Sequence, residues 1–108
     1  MTSPQSAVGR RRYLIGLIED ELDAFERGER TLASMVSGIE ATITPLQGAA
    51  DAAWLDELTS AWSGLETVHA VMLDEDRLQL SAEDIADVHE VIRDLRSLLE
   101  RDARAGQA

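Results

Sequence analysis

Ser81-Ala-Glu-Asp84-Ile85-Ala-Asp-Val88-His-Glu-Val-Ile92-Arg-Asp-Leu95-Arg-Ser-Leu-Leu99 decides how this chain is read. Ile85, Val88, Ile92, Leu95 and Leu99 recur in alternating steps of three and four, the period of one helical face buried against other helices. Ser81 with Asp84 three residues on resembles a capping box, and Glu83 also favours a helix N-terminus. The pattern predicts a helix over residues 82–100, with a frayed tail over 101–108.

Upstream the same period recurs three times. Leu14, Ile15, Leu17, Ile18, Leu22 and Phe25 form a stripe that predicts a helix over about 8–27, stopped by Gly28. Leu32, Met35, Val36, Ile39 and Ile43 predict a second over about 31–44, with Thr31 as N-cap. Pro45 lacks a backbone donor and crowds the carbonyl of Ala41, so that helix kinks or ends there. Trp54, Leu58, Ala61, Trp62, Leu65, Val68 and Met72 predict a third over about 50–73. Gly64 inside it costs roughly 1 kcal/mol relative to alanine and favours close approach of a neighbouring helix. Asp74-Glu75-Asp76-Arg77 is a polar connection, after which Leu78 and Leu80 are expected to pin the chain to the core.

Short connections favour antiparallel neighbours, so the expected fold class is all-α, one domain over 1–108 built as an antiparallel up-down-up-down four-helix bundle. A helical hairpin completed by dimerisation is the structural alternative. At 108 residues the chain suffices for one core, and its 44% hydrophobic and 29% charged residues are ordinary globular values. The four aromatics, Tyr13, Phe25, Trp54 and Trp62, leave the core to aliphatic side chains.

Charge narrows the function. Twenty-one Asp and Glu stand against ten basic residues, all of them Arg, for a net −11. Clustered positive charge is what phosphate backbones need, so direct nucleic-acid binding is not expected, whereas a basic protein partner suits this balance. The chain has no Cys, hence no disulfide framework or thiolate metal site. Arg10-Arg11-Arg12 precede an apolar run of six residues, too short for a signal-peptide core, and no stretch is long enough to span a membrane. The expected location is the cytoplasm.

Glu66-x-x-His69 has the spacing of a di-iron bundle ligand pair, but Ala86 stands three residues before His89, so the second copy is missing. Neither histidine has the Lys and Gly expected behind a phosphotransfer histidine. Both are read as boundary residues with one polar edge in water, and no cofactor or metal is expected. Trp62-Ser63-Gly64 matches a tripeptide found in the turn of small secreted helical hairpins, yet here an unbroken apolar period places it inside a helix. Trp54 and Trp62 share nearly one face and read as core anchors. No nucleophile–base pair or phosphate-cradling loop is present in the pattern, so an enzyme is not expected.

The acidic faces remain. Glu83, Asp87, Glu90 and Asp94 run along the fourth helix away from its seam, and Glu19, Asp23 and Glu26 do so on the first. First and last helices are neighbours in this topology, so the two rows are expected to join into one negative surface that docks a basic partner. Arg93, Arg96, Arg101 and Arg104 are expected to offset its C-terminal end.

Over residues 13–99 the chain also resembles a group of small acidic helical bacterial proteins, the immunity partners of secreted or contact-delivered toxins. Leu14-x-x-Leu17-Ile18, Leu32 with Ile39-Glu40, Trp54, Trp62-x-x-Leu65-Glu66-x-Val68-x-Ala70, and Ser81-x-x-Asp84-Ile85 with Leu95-x-x-Leu98-Leu99 carry the likeness. The resemblance implies a stoichiometric inhibitor that binds a cognate toxin and blocks its active site without catalytic residues of its own. The alternative is a helical structural or regulatory subunit that homodimerises.

Overall fold

The structure is a computed structural model that describes residues 4–77 and 79–105, with side chains described for 9–77 and 79–102. Among the described residues four helices follow one another, α1 (Pro4–Glu26), α2 (Leu32–Leu46), α3 (Ala52–Asp74) and α4 (Ala82–Ala105). Each packs on the next and α4 returns to α1, with no diagonal contact among the described residues. This is the up-down-up-down bundle. The α3–α4 seam is the most extensive and the α1–α4 seam the least.

Local chemistry sets the helix ends. Thr31 caps α2 by accepting the Ser34 N–H at 3.1 Å, and Asp51 caps α3 by accepting the Trp54 N–H at 3.0 Å. At α4 the box is reciprocal, Asp84 N–H to Ser81 Oγ at 3.1 Å and Ser81 N–H to Asp84 Oδ2 at 3.0 Å. α1 ends in a left-handed Gly28 (φ 77°), where Glu29 N–H reaches back to the Ala24 carbonyl. α3 ends the same way, with Arg77 N–H on the Met72 carbonyl, but Asp76 (φ 54°) holds the seat that glycine usually takes.

Some boundaries differ from expectation. Among the described residues α1 reaches back to Pro4, where a proline in a first helical turn sacrifices no hydrogen bond. α2 continues one residue past Pro45, to Leu46. α4 does not fray at residue 101 but stays helical to Ala105, stapled to α1 by Arg11 Nε to Asp102 Oδ2 at 3.3 Å. Residues 106–108 of the expected tail, and Leu78, lie outside the described residues.

Among the described residues nineteen hydrophobic side chains are buried, including all five inward positions read on α2. The α4 seam holds at Val88, Ile92, Leu95 and Leu99 but fails at Ile85, which is 43% exposed. The reason is length. Trp62 Nε1 donates to the Val36 carbonyl at 3.0 Å, which places Leu32, the start of α2, about level with Glu66. Arg96 binds Asp23 and Glu26, so α1 ends about level with Arg96. Measured on α3, from Glu66 to the helix end at Asp74, the α3–α4 hairpin therefore runs on past the α1–α2 hairpin by roughly two turns. A 24-residue helix is about 36 Å long, so such an offset accounts for the 50 Å length of a molecule only 25 × 24 Å across.

At Gly64 α3 and α4 meet closely, since a Cβ there would stand 3.0 Å from Val91 Cγ2. Gly64→Leu should therefore destabilise the bundle by about 1–3 kcal/mol through overpacking. Val91→Ala in the same chain should recover part of that loss. Denaturant titration of the two variants and their combination measures it, and additive losses would contradict this contact.

Candidate partner-binding surface

The seven acids expected to dock a partner fall on two separate faces. On α1, Asp23 Oδ1 receives Arg96 Nη2 at 2.8 Å, and Glu26 binds the same guanidinium. Glu26 and then Asp23 hold the Arg96 pKa above its ordinary value. These two carboxylates are closed onto α4, while Glu19 remains exposed.

The α4 row points elsewhere. Glu83 and Asp87 line a groove with Val71, Glu75 and Ser81, and Asp94 lines another with Glu57, Ser60 and Leu98. Both grooves lie on the α3 side. Arg96 follows Asp94 by two residues, roughly 200° round the helix, which puts the α1 contact and the acidic row on opposite flanks of α4. The expected single surface is thus corrected to two faces, parted by the width of one helix.

All four α4 acids are exposed, and none meets an arginine among the described residues. Arg96 binds α1, whereas Arg101, which binds Glu57 on α3, lines the same groove as Asp94, and Arg93 is exposed beside it; the side chain of Arg104 lies outside the described residues.

The negative charge is strongly uneven along the molecule. Residues 66–90, the far half of the α3–α4 hairpin, hold eight carboxylates and one arginine, or seven of the eleven net negative charges. That arginine is spent internally. Arg77 binds Asp84 at the start of α4, and its Nε lies 3.1 Å from Glu75 Oε2. Asp74, Glu75 and Asp76, read from sequence only as a connection, are part of this acidic tip. The signal that marks them is their run of three acids directly before the next acidic helix start.

His69 is half-buried on α3, and His89 is exposed on α4 rather than packed at the boundary. Among the described residues no three His, Asp or Glu side chains are grouped to hold a metal ion, and no helix is long and apolar enough to cross a membrane. The two tryptophans are structural donors, Trp54 Nε1 to the Leu98 carbonyl at 2.9 Å and Trp62 Nε1 to Val36, and Trp62-Ser63-Gly64 lies within α3. No family model, curated protein or solved structure matches the chain.

The Arg77 side chain, and behind it the Ser81 N–H, holds the Asp84 carboxyl below its ordinary value. A carboxyl that is more acidic when folded stabilises the fold above its unfolded pKa, about 3.9, and loses that contribution as pH falls further toward its folded value. The melting temperature of the protein should accordingly exceed that of Asp84→Asn at pH 6, with the gap closing below about pH 4. A gap that stays constant from pH 6 to pH 2.5 would show that this carboxylate does not anchor the turn.

Proposed function

We propose that this chain is an acidic binding module that neutralises a basic protein partner by one-to-one association in the cytoplasm, acting without catalysis. The observation that carries the reading is the exposed α4 row, Glu83, Asp87, Glu90 and Asp94, without an ion-paired arginine among the described residues and beside a tip that holds most of the net charge. A field of one sign raises the encounter rate with a basic partner by 10- to 1,000-fold at low salt, roughly, which suits an inhibitor that competes with its target's substrate. The resemblance to toxin immunity partners supports a toxin domain as that partner.

Homodimerisation is a second reading, favoured by Leu73, which is 58% exposed at the acidic tip. Leu80, by contrast, packs against the core. Sedimentation at micromolar concentration separates the two readings, since a tight dimer supports the second.

The protein that co-purifies with this chain from its own cell should be basic and bound one-to-one. Changing Glu83, Asp87, Glu90 and Asp94 together to Lys should slow its association at least tenfold at low ionic strength. The difference should shrink in high salt as the charges are screened. Stopped-flow rates that are the same for both proteins at low salt would remove this face from the reading.

A further inference from the structure

Beyond the ends of α1 and α2, the α3–α4 hairpin still presents the stripes that face those helices. Trp62 faces α2, and His69 and Leu73 follow it by seven and eleven residues, close to two and three turns, so they repeat its direction. Arg96 faces α1, and His89 and Ile85 precede it by the same two intervals. A bundle of equal hairpins would cover all four positions. Here Leu73 is 58% exposed, Ile85 43% exposed and His89 exposed, while Val68 and Met72 between the two walls are half-buried. Leu65 and Val88 are fully buried beneath them. The result is an open apolar shelf with a histidine on each wall.

We propose that this shelf seats one amphipathic helix of a protein partner, rich in Lys or Arg, lying where α1 or α2 would have continued. This rests on the basic-partner reading above and specifies its site. Charge complementarity selects the occupant. The segment 66–90 that forms the shelf carries seven net negative charges, so a second copy approaching with its own tip brings like against like. A cationic helix meets opposite charge on both rims, and its apolar stripe at steps of three and four matches Leu73, Met72 and Ile85 on the floor and walls. The competing self-occupant is the far end of another copy, where Arg10 and Arg12 flank an exposed Tyr13.

The test uses the full chain at physiological salt and a 20-residue synthetic peptide of Lys and Leu, with leucines at helical spacing. A control of identical composition has its leucines scattered round the helix. The chain has two histidines, so the ring Hε1 proton signals of His69 and His89 report directly on the shelf. The indole signals of Trp54 and Trp62 report on the covered part of the bundle. The ordered peptide should shift both histidine signals saturably and leave the indoles in place. Leu73→Ala and Ile85→Ala, both at exposed positions and checked by thermal melting, should each weaken binding about tenfold. The scattered peptide should bind at least tenfold more weakly than the ordered one.

Equal affinity for the two peptides would overturn the shelf in favour of charge alone. Unmoved histidine signals, or indifference to Leu73→Ala and Ile85→Ala, would overturn it outright. Self-association abolished by Leu73→Ala or by Arg10→Glu with Arg12→Glu would make a second copy the occupant instead. The co-purifying natural partner separates the two levels of the argument. If the α4 charge reversal slows its association while Leu73→Ala and Ile85→Ala change nothing, the shelf fails and the basic-partner reading survives. If the charge reversal also changes nothing, both fail.

Discussion

Two indole N–H groups fix the register on which the rest of this bundle depends. Trp54 and Trp62 lie eight residues apart on α3, and each donates to a backbone carbonyl on a flanking helix, Leu98 on α4 and Val36 on α2. A slide of α3 by one residue against either neighbour would strand a largely enclosed donor, at a cost of about 1–3 kcal/mol. Apolar seams alone tolerate such slides more easily, because dispersion and burial are not directional. With α3 pinned on both sides, and α1 held to α4 through Arg96, the unequal helix lengths translate directly into an offset between the two hairpins. The open end is therefore a consequence of register.

That end is not built for stability. Asp74, Glu75 and Asp76 cluster at the C-terminus of α3, where the helix dipole disfavours negative charge. Asp76 also adopts a left-handed conformation, which Gly28 supplies without a Cβ at the matching position after α1. Only the acids at the start of α4 are placed as a helix prefers, and one of them, Asp84, is held by the sole arginine of the region. An end of the molecule that concentrates like charge, strains an aspartate and leaves Leu73 and Ile85 in water works against its own folding. Sites that bind a partner are where such local costs are commonly retained.

The sequence made the seams legible, because burial along a helix follows its own period. Met35, Ile39 and Ile43 on α2, and Val88, Ile92, Leu95 and Leu99 on α4, all sit where the spacing puts them. Ile85 belongs to the same period and is exposed, since burial there depends on how far α1 and α2 extend, which no pattern within α4 encodes. The acidic rows do not join into one surface for a related reason. Spacing gives a side chain's angle relative to its own seam, but not which neighbour lies on which flank, and it was Arg96 that revealed the α1 side. Helix ends were legible where a cap was written locally, as at Thr31 and Ser81-Asp84. The α4 end was not, because its persistence depends on Arg11 of another helix reaching Asp102.

The histidines connect these threads. Taken alone, Glu66-x-x-His69 is half of a metal motif and His89 has no partner in sequence. In the fold they continue the α2-facing and α1-facing stripes at the point where those helices have ended. A position that repeats every seven residues along a core-facing stripe is normally aliphatic; imidazole, with an apolar body and two polar nitrogens, suits a surface that is wet when alone and covered in a complex. Charge and apolar area then divide the work. On the proposed function, the carboxylates would act at a distance and set how often a basic partner arrives, while Leu73, Met72 and Ile85 would act only in contact and set how long it stays. An acidic face without the shelf would give fast but short-lived encounters, and a shelf without the acids would lack a preference for any partner.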